Sequence, residues 1–440
     1  MNIPNYSSKK NCGGSALIAT IVITGVIGFS LAGYLDYSKS QNRSVMRSLA
    51  WNSTIAVLEA GMEEALAQIN VTVLGTEDER ERYRRNGWEV DRSDAVYRKT
   101  RTLAEGYYEV EFTKAQPPTI TATGYAKVPL TSDSILKRTV VCTTIRDGLF
   151  TKGMVAKGVI DMNGNNVQSD SFDSETAPGG VYSAGAAKNN GDIATNAGVA
   201  NGLNVGQADV YGHGATGPGG SIAVGANGGV GEKAWVLANQ GKMQPGWTSS
   251  DMNVSFPDVS APFSGGYSTP AAGTVDGVDY AFVLNSGQYQ LSSVSLSGSK
   301  GIYVGGNAKL YVTGDFSMSG MSQIVIGSSA TLNLYVGGAN TSIGGNGIAN
   351  VSQKACSFAY WGLPTNTSLK FSGNGTFIGT IYAPNAAFTL GGGGNNTQDF
   401  IGSSVTGSVT MNGKFNFHYD ELLGRIGASR GFVVSSWNEI

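Results

Sequence analysis

Histidine and cysteine are scarce in this 440-residue chain, which contains two histidines and three cysteines. A zinc site built from three histidines is therefore excluded, and neither H-E-x-x-H nor paired C-x-x-C motifs occur. The phosphate-binding sequence G-x-x-x-x-G-K-[ST] is also absent. We therefore predict a non-enzymatic protein with no catalytic, cofactor-binding or metal-binding residue.

Charge and proline are each missing from long stretches near the amino terminus. Residues 16–35 contain no Asp, Glu, Lys or Arg, and as a helix this run is long enough to cross a bilayer. Proline is absent from residues 5–116, and apolar side chains continue at the helical period at Ile55, Leu58, Met62, Leu66 and Ile69. We predict one helix over residues 15–70 with a membrane-spanning part at 16–35. Glu63 and Glu64 are expected to lie off its apolar face.

The residues that flank the apolar run bear on processing and orientation. Basic residues stand on both sides of the run, with Asp36 opposing them, and give no clear orientation; they are Lys9, Lys10, Lys39, Arg43 and Arg47. Small residues precede the run, whereas a secretory signal peptide places its small-residue cleavage site after it. The apolar helix is thus predicted to be retained.

Small side chains recur at every fourth position of the predicted membrane helix, at Ala16, Thr20, Thr24, Gly28 and Ala32. In lipid, packing has to supply the attraction between helices, and small residues permit close approach. The stripe therefore predicts packing against a second helix. The alternative is that these residues are simply common in membrane helices.

The amino-terminal region resembles that of a known family. The sequence GSAL at residues 14–17, the long helix and LEAGMEEALAQIN at residues 58–70 resemble the PilX-like minor pilins of type IV pilus systems. The resemblance implies that residues 1–14 are a basic leader that is cleaved after Gly14, which leaves Ser15 first. It also implies that the new amino-terminal helix packs into a filament. The fifth residue of the processed chain is then Ala19, where major pilins carry a Glu.

The composition changes near Gly148. Residues 1–150 contain 34 charged residues and 11 glycines, whereas the remaining residues contain 28 and 52. So much glycine is unfavourable for helices and predicts a second part that is mainly β.

Residues 71–150 are predicted to form a charged connection and an antiparallel β-meander. The mixed-charge run at 77–101 is interpreted as a solvated connection or a short helix that does not bind nucleic acid. Three strands are predicted from alternation at residues 107–112, 119–125 and 135–145. Packed on the helix, this meander would resemble the small head of a pilin.

Short apolar motifs repeat in the glycine-rich part. The sequence LYV at residues 310–312 recurs at 334–336, and IYV at 302–304 and IYA at 381–383 have the same shape. FIG at 377–379 recurs at 400–402, and FTL at 388–390 is echoed by VTM at 409–411. These spacings of 21 to 24 residues are typical of the coil of a β-solenoid.

We therefore predict a right-handed parallel β-solenoid over residues 151–423, in preference to a β-sandwich. Within it, residues 181–231 are interpreted as a loosely packed end or an insertion. Residues 424–440 contain a predicted strand that caps a sheet edge or returns to the meander.

The carboxy-terminal half carries a second resemblance. FIGTIYAPNAAFTLGGGG at residues 377–394 and NFHYDELLG at 416–424 are similar to the glycine-rich β-helical domain attached to PilX-like anchors in bacterial surface proteins. The similarity covers residues 301–423 best, and it implies an architecture rather than a chemical activity.

Few residues after position 151 suggest chemistry. His418 is interpreted as a histidine that is hydrogen-bonded to Asp420 or Glu421 rather than as half of a catalytic pair. GHGATG at residues 212–217 matches the dinucleotide fingerprint, but glycine follows it where a helix is required. Cys142 and Cys356 are expected to be isolated buried thiols, and a disulfide between them is the alternative.

Carbohydrate chemistry is the main alternative, because β-solenoids include polysaccharide lyases and hydrolases. The candidate charged pairs are Asp276 with Asp279 and Asp315 with Lys309, which ordinary surface charge also explains. Aromatic side chains that could stack on sugars are Tyr267, Tyr280, Tyr289, Trp235 and Trp247.

The sequence thus favours a single-pass protein of the bacterial inner membrane whose carboxy-terminal domain is periplasmic or extracellular. It would act as a minor pilin or pilus-associated surface component, with membrane lipid and other pilins or pilus assembly proteins as partners. The alternative is a membrane-tethered β-helix protein that binds or cleaves a surface polysaccharide. A cytoplasmic scaffold of the opposite orientation is a third hypothesis.

Overall fold

The computed structural model describes residues 13–70, 79–91, 95–104, 106–129, 134–162, 167–373, 375–391, 397–412 and 414–440, and the side chains of all of these except 13–15, 79 and 80. The chain forms two compact units, Met1–Asp147 together with Gly431–Ile440, and Gly148–Arg430. The fold is mainly β with one long amino-terminal helix, and its sheets are partly parallel.

The first unit contains a long helix and an antiparallel meander. Its elements are α1 (Gly13–Ile69), α2 (Glu79–Arg85), β1 (Glu89–Val90), β2 (Val96–Leu103), β3 (Gly106–Thr113), β4 (Thr119–Lys127) and β5 (Ile135–Gly148). The single long helix is confirmed, and β3, β4 and β5 confirm the three predicted strands. The mixed-charge run was interpreted incompletely, because it contains the short helix α2 and also most of β2.

The carboxy-terminal strand, Ser429–Glu439, lies beside β5 and completes a six-stranded sheet. Of the two predicted roles, the return to the meander is therefore the one observed. The side chain of Asn70 fixes this strand to the end of α1, because it donates to the Phe432 carbonyl oxygen at 2.8 Å and accepts from the Phe432 amide at 2.6 Å.

The carboxy-terminal half of α1 packs on one face of this sheet. Leu58 and Met62 are buried, which confirms the predicted apolar face, and Ile55, Leu66 and Ile69 are partly buried against the same cluster. Every second residue of the strands faces α1, because side chains alternate between the two faces of a sheet. The buried strand residues include Tyr97, Tyr108, Val110, Phe112, Ile120, Ala122, Val140 and Cys142.

Gly124 of β4 allows α1 and the sheet to pack closely. A Cβ atom at this position would overlap the Thr54 carbonyl oxygen and would lie 2.8 Å from the Leu58 amide nitrogen. Glycine therefore lets the helix and the sheet approach more closely than any other residue would.

The second unit is built from many short strands. Its first part contains β6 (Met154–Ala156), β7 (Ile160–Met162), β8 (Gln168–Phe172), β9 (Ile193–Thr195), β10 (Leu203–Gly206), β11 (Asp209–Tyr211), β12 (Gly214–Ala215), β13 (Ile222–Val224), β14 (Gly229–Gly231), α3 (Lys233–Ala238), β15 (Lys242–Met243) and β16 (Thr248–Ser249).

Its second part continues with β17 (Ala271–Val275), β18 (Val278–Leu284), β19 (Gly287–Leu291), β20 (Val294–Leu296), β21 (Gly301–Val304), β22 (Asn307–Val312), β23 (Phe316–Met318), β24 (Gln323–Ile326), β25 (Thr331–Val336), β26 (Asn340–Ile343), β27 (Gly347–Asn350), β28 (Phe358–Gly362), β29 (Ser368–Phe371), β30 (Phe377–Leu390), β31 (Gln398–Met411), β32 (Phe415–Asp420) and α4 (Leu422–Ile426).

These strands pair in parallel, and among the described residues of this unit only the β17–β18 ladder is antiparallel. Three series of strands result. The first runs β19-β22-β25-β28-β30-β31-β6-β9-β12-β16, and the second runs β20-β23-β26-β29-β30-β31-β7-β10-β13. The third series has two parts, which are β18-β21-β24-β27 and β31-β32-β8-β11-β14-β15.

The repeats found in the sequence pair in register. The two LYV motifs face each other, with Leu310 opposite Leu334, and the FIG and FTL motifs pair with their counterparts along β30 and β31. IYA at 381–383 belongs to the same series, but IYV at 302–304 lies in the third series, between β18 and β24. The similar sequence of IYV at 302–304 therefore grouped it with motifs that belong to a different series of strands.

The interior of this unit is a continuous apolar cluster. Leu310, Val312, Leu334 and Val336 are fully buried, while the tyrosines between them point outward. Full burial of each such side chain contributes roughly 1.5–3 kcal/mol relative to exposure. The short alternating motifs therefore stabilise the fold only when they are stacked on one another.

The order of the strands differs from simple succession along the chain. The last strands, β31 and β32, pair with β6, β7 and β8 at the start of the unit. We call β6–β16 the amino-terminal stack and β17–β32 the carboxy-terminal stack. The two stacks join where β31 and β32 pair with β6, β7 and β8, and each stack has its own free end. Residues 181–231 lie within the amino-terminal stack as β9–β14 rather than as an insertion.

Each end of the joined stack is covered differently. At one end Val236 of α3 is fully buried against β14. At the other end β17 and β18 form a hairpin whose turn residues, Asp276 and Gly277, have φ angles of 51° and 77°. Residues 250–264, here called the outer strap, connect the two parts outside the ladders without regular structure.

Candidate functional site

The apolar part of α1 is the most unusual surface of the described chain. Among the described residues it is the one helix that is long and apolar enough to cross a membrane, and its apolar window is not buried in the protein. The large side chains of Leu17, Ile21 and Phe29 are 64–84% exposed, and their apolar neighbours are exposed as well. An apolar surface of this size marks a membrane or protein interaction site.

The two threonine hydroxyls in this segment are already paired within the helix. The hydroxyl of Thr20 donates to the Ala16 carbonyl oxygen at 2.7 Å, and that of Thr24 donates to the Thr20 carbonyl oxygen at 2.7 Å. Gly28 has no atom near the position of a Cβ. The predicted stripe of Ala16, Thr20, Thr24, Gly28 and Ala32 is therefore exposed, and its packing against a second helix stays a prediction.

The predicted processing site lies at the start of the same helix. Gly14 and Ser15 are within the first turn of α1, which begins at Gly13. Residues 1–12, most of the predicted leader, lie outside the described residues, and so do residues 71–78, the start of the predicted connection.

Glu64 of α1 is partly buried, with 20% of its side chain exposed. It forms ion pairs with Lys99 at 2.7 Å and Arg101 at 3.4 Å and accepts a hydrogen bond from Tyr108. Burial acts to raise the pKa of Glu64, but the bonds from Lys99 and Tyr108 outweigh it and hold the pKa below its usual value. Glu64 thus joins α1 to β2 and β3, whereas Glu63 is exposed.

The second unit has its densest polar cluster at the junction of the two stacks. His418 of β32 lies opposite Asp170 of β8, with Nδ1 2.6 Å from Asp170 Oδ1. Its Nε2 is 3.3 Å from Asp399 Oδ1, and the Tyr182 ring stacks on the imidazole with centroids 3.6 Å apart. The predicted partners were wrong, because Asp420 bonds Ser174 and Glu421 bonds Ser171, Lys188 and Asn190.

The electrostatics of this cluster favour a protonated imidazole. Burial acts to lower the pKa of His418, but hydrogen bonds and charge from Asp170 and Asp399 outweigh it and raise the pKa above its ordinary value. Both ring nitrogens are engaged and Tyr182 covers one ring face. These contacts fit a structural role for His418 at the junction.

The other sequence candidates are placed apart. GHGATG at residues 212–217 contributes β12 to a parallel ladder, and no helix follows it, so it has no dinucleotide-binding geometry. Within it, His213 stacks on Trp247 with centroids 4.4 Å apart and lies 3.2 Å from Asp192. Lys152 binds Asp192 from the other side, at 2.9 Å.

The candidate carbohydrate residues do not converge. Asp276 is a turn residue, Asp279 accepts from the Thr274 hydroxyl, and Asp315 bonds the backbone and side chain of Asn340. Tyr267, Tyr280 and Tyr289 lie near the β17–β19 end, whereas Trp235 and Trp247 lie near β14–β16 at the opposite end. These aromatic side chains therefore do not form one sugar-binding surface.

The two described cysteines are free thiols, so the alternative disulfide is not formed. Cys142 is buried as expected, and its Sγ lies 3.2 Å from Met62 Sδ. Cys356 is exposed, contrary to expectation, in the short turn of helix at Ala355–Ser357. Across the described residues, no group of three or more His, Cys, Asp or Glu side chains could hold a metal ion.

Comparison with known proteins adds one match. A family model described as a domain of unknown function, DUF7305, matches residues 265–426. This segment spans β17 to α4, which is the carboxy-terminal stack, and it is less than half of the chain. No curated protein and no solved structure matches the chain.

Proposed function

We propose that this protein is a non-enzymatic, membrane-anchored component of the bacterial envelope that acts as a minor pilin or pilus-associated surface protein. The observation that carries the proposal is the division of α1 into two halves. Residues 16–35 are apolar and exposed, whereas the half that contains Leu58 and Met62 packs on an antiparallel sheet. The exposed half needs lipid or another helix to cover it.

The proposal includes a location and partners. The chain would cross the inner membrane once, with the carboxy-terminal domain on the periplasmic or extracellular side. Membrane lipid and the helices of other pilins or assembly proteins would cover the apolar half of α1. The resemblance to PilX-like pilins motivates the pilus assignment. The threonines of the apolar half suit lipid, because the hydroxyls of Thr20 and Thr24 donate to backbone carbonyl oxygens of the same helix.

We also propose that the second unit is a right-handed parallel β-solenoid whose three faces are the three series of strands. In-register pairing of repeats 21 to 24 residues apart supports this proposal. A sandwich would instead be built from antiparallel pairs. An experimental map that traces the coils would test it, and left-handed winding or two facing sheets would overturn it.

Amino-terminal sequencing of the mature protein tests the pilin assignment. In cells with a working prepilin peptidase, we expect the mature chain to begin at Ser15, and in cells without the peptidase we expect Met1. The variant Gly14→Leu should keep its leader in both strains. Gly25→Leu, a change of the same size further along the helix, is the matched control and should be processed normally.

A chain that begins at Met1 in peptidase-positive cells would refute pilin-type processing. Protease treatment of intact cells and spheroplasts then tests the side of the membrane. We expect cleavage of the second unit in spheroplasts without lysis, and cleavage only after lysis would place this unit in the cytoplasm.

A further inference from the structure

A polar cleft lies beside α1 just beyond its apolar part. It has a volume of about 560 Å³ and is lined by Ser40, Arg43, Ser44, Arg47 and Ser134. Four of these residues are on α1, and Ser134 precedes β5. All five side chains carry hydrogen-bond donors.

The chemistry of the lining suits a phosphate group. Arginine presents a planar fork of donors that matches phosphate oxygens, and serine hydroxyls add further donors. Among the residues that the structure describes, no carboxylate is part of the lining. In the described part of the chain, the structure records no ion pair for Arg43 or Arg47, so both guanidinium groups are available to a ligand.

Charge along this face of α1 is positive on balance. Lys39, Arg43 and Arg47 follow one another at intervals of four residues and therefore share one side of the helix. Asp36 is the single acidic residue between positions 16 and 58, and it precedes all three. An anionic ligand would thus meet a net positive surface.

The height of the cleft along α1 matches a lipid headgroup. Tyr34 and Tyr37, both more than 60% exposed, end the apolar run, and tyrosine is enriched at the membrane–water interface. At 1.5 Å per residue, Arg43 lies about 9 Å and Arg47 about 15 Å beyond Tyr37. Helical side chains lean toward the amino terminus, so both arginines extend back toward the interface.

We infer that this cleft binds the phosphate of an anionic phospholipid in the leaflet next to the carboxy-terminal end of the apolar segment. The inference rests on the proposed membrane anchoring of α1. Binding at a cleft formed by α1 and Ser134 would fix the depth and the rotation of α1 in the bilayer, and hence the position of the β3–β5 meander that packs on it.

Lipid retention by the full-length protein tests this inference. The protein is reconstituted in nanodiscs that contain equal amounts of phosphatidylglycerol and phosphatidylcholine, released, and examined by native mass spectrometry for bound lipid. We expect the wild type to retain phosphatidylglycerol preferentially. The double variant Arg43→Gln/Arg47→Gln should lose this preference by roughly 30-fold, the effect expected for two basic side chains near an anionic surface.

A matched control removes two positive charges elsewhere in the same unit. Arg84 and Lys137 are exposed and are not among the described residues that line the cleft, so Arg84→Gln/Lys137→Gln should retain phosphatidylglycerol like the wild type. A second arm adds millimolar inorganic phosphate. If free phosphate displaces phosphatidylglycerol completely, the cleft is a site for soluble phosphate and the lipid assignment is overturned.

The two proposals fail in distinguishable ways. Recovery of the wild type in the soluble fraction without detergent would refute membrane anchoring itself. Recovery in the membrane, with equal retention of the two lipids or with no effect of the Arg43/Arg47 change, would leave anchoring intact and refute the lipid site.

Discussion

Phe400 lies face to face with Phe377, with ring centroids 4.3 Å apart and an angle of 14° between the ring planes. The two residues are directly opposite each other in the parallel pairing of β30 and β31. Phe417 continues the stack at 4.3 Å on the other side of Phe400. At the next strand the position is occupied by Ser169, so the aromatic stack ends where the two parts of the unit join.

Removal of the central ring should destabilise the second unit strongly. Phe400 is fully buried, and a change from Phe to Ala in a core costs about 3–5 kcal/mol through lost burial and the cavity left behind. We expect Phe400→Ala to lower the urea midpoint of this unit, measured by pulse proteolysis of the full-length protein. Tyr267→Ala, at an exposed aromatic residue, should change the free energy of unfolding by less than about 0.5 kcal/mol. Equal effects of the two changes would contradict the buried stack.

His418 should make the junction sensitive to pH. A histidine whose pKa is raised in the folded state stabilises the fold fully below its unfolded value, 6.5, and this contribution is lost as pH rises through the folded pKa. We therefore expect the stability of the second unit to fall as the pH rises above 6.5, measured by the same proteolysis assay.

The chain supplies a control for this prediction, because it has only one other histidine. His418→Gln should flatten the dependence on pH, whereas His213→Gln, at a half-exposed residue, should leave it in place. A slope that persists in His418→Gln would show that another group titrates at the junction.

Gly402 should not tolerate a side chain. Its φ angle is 141°, a region that L-residues rarely adopt, and an added Cβ would overlap the Gly379 carbonyl oxygen on the neighbouring strand. Gly402→Ala should therefore break the β30–β31 pairing locally and reduce the yield of protease-resistant protein. Gly185→Ala, which meets no atom within 4 Å, should be accepted. Normal resistance of Gly402→Ala would contradict the pairing observed here.

The contact between α1 and the meander gives a prediction for the first unit. Leu58 is fully buried, so Leu58→Ala should cost about 2–5 kcal/mol. Val45→Ala, on an exposed part of the same helix, should have little effect. Protease resistance of β3–β5 in the detergent-solubilised full chain reports the difference, and an unchanged Leu58→Ala protein would mean that α1 does not pack on the sheet.

Several elements were predictable because their signals are local. The lack of charge at residues 16–35 and the 3.6-residue period that includes Leu58 indicate α1 from sequence alone. Alternation predicts β3, β4 and β5, and the repeated LYV and FIG motifs predict parallel pairing at the correct register. Each of these patterns extends over at most about 25 residues.

The partners of His418 and Glu64 were not predictable in the same way. His418 has two acidic residues close in sequence, yet it binds Asp170, which is 248 residues away. Glu64 binds Lys99 and Tyr108 because β2 and β3 pass beside α1. No periodicity in the sequence records which strands become neighbours across such distances.

The sequence by itself determined the long apolar helix, the meander strands and the repeat that stacks in register, because hydrophobic period and glycine placement act over short stretches of chain. Only the tertiary structure decided that β31 and β32 join the start of the second unit and that the carboxy-terminal strand returns to β5. The physical reason is that an open strand edge can pair with any exposed edge of matching length. Which edges meet depends on the whole folded chain rather than on the residues nearby.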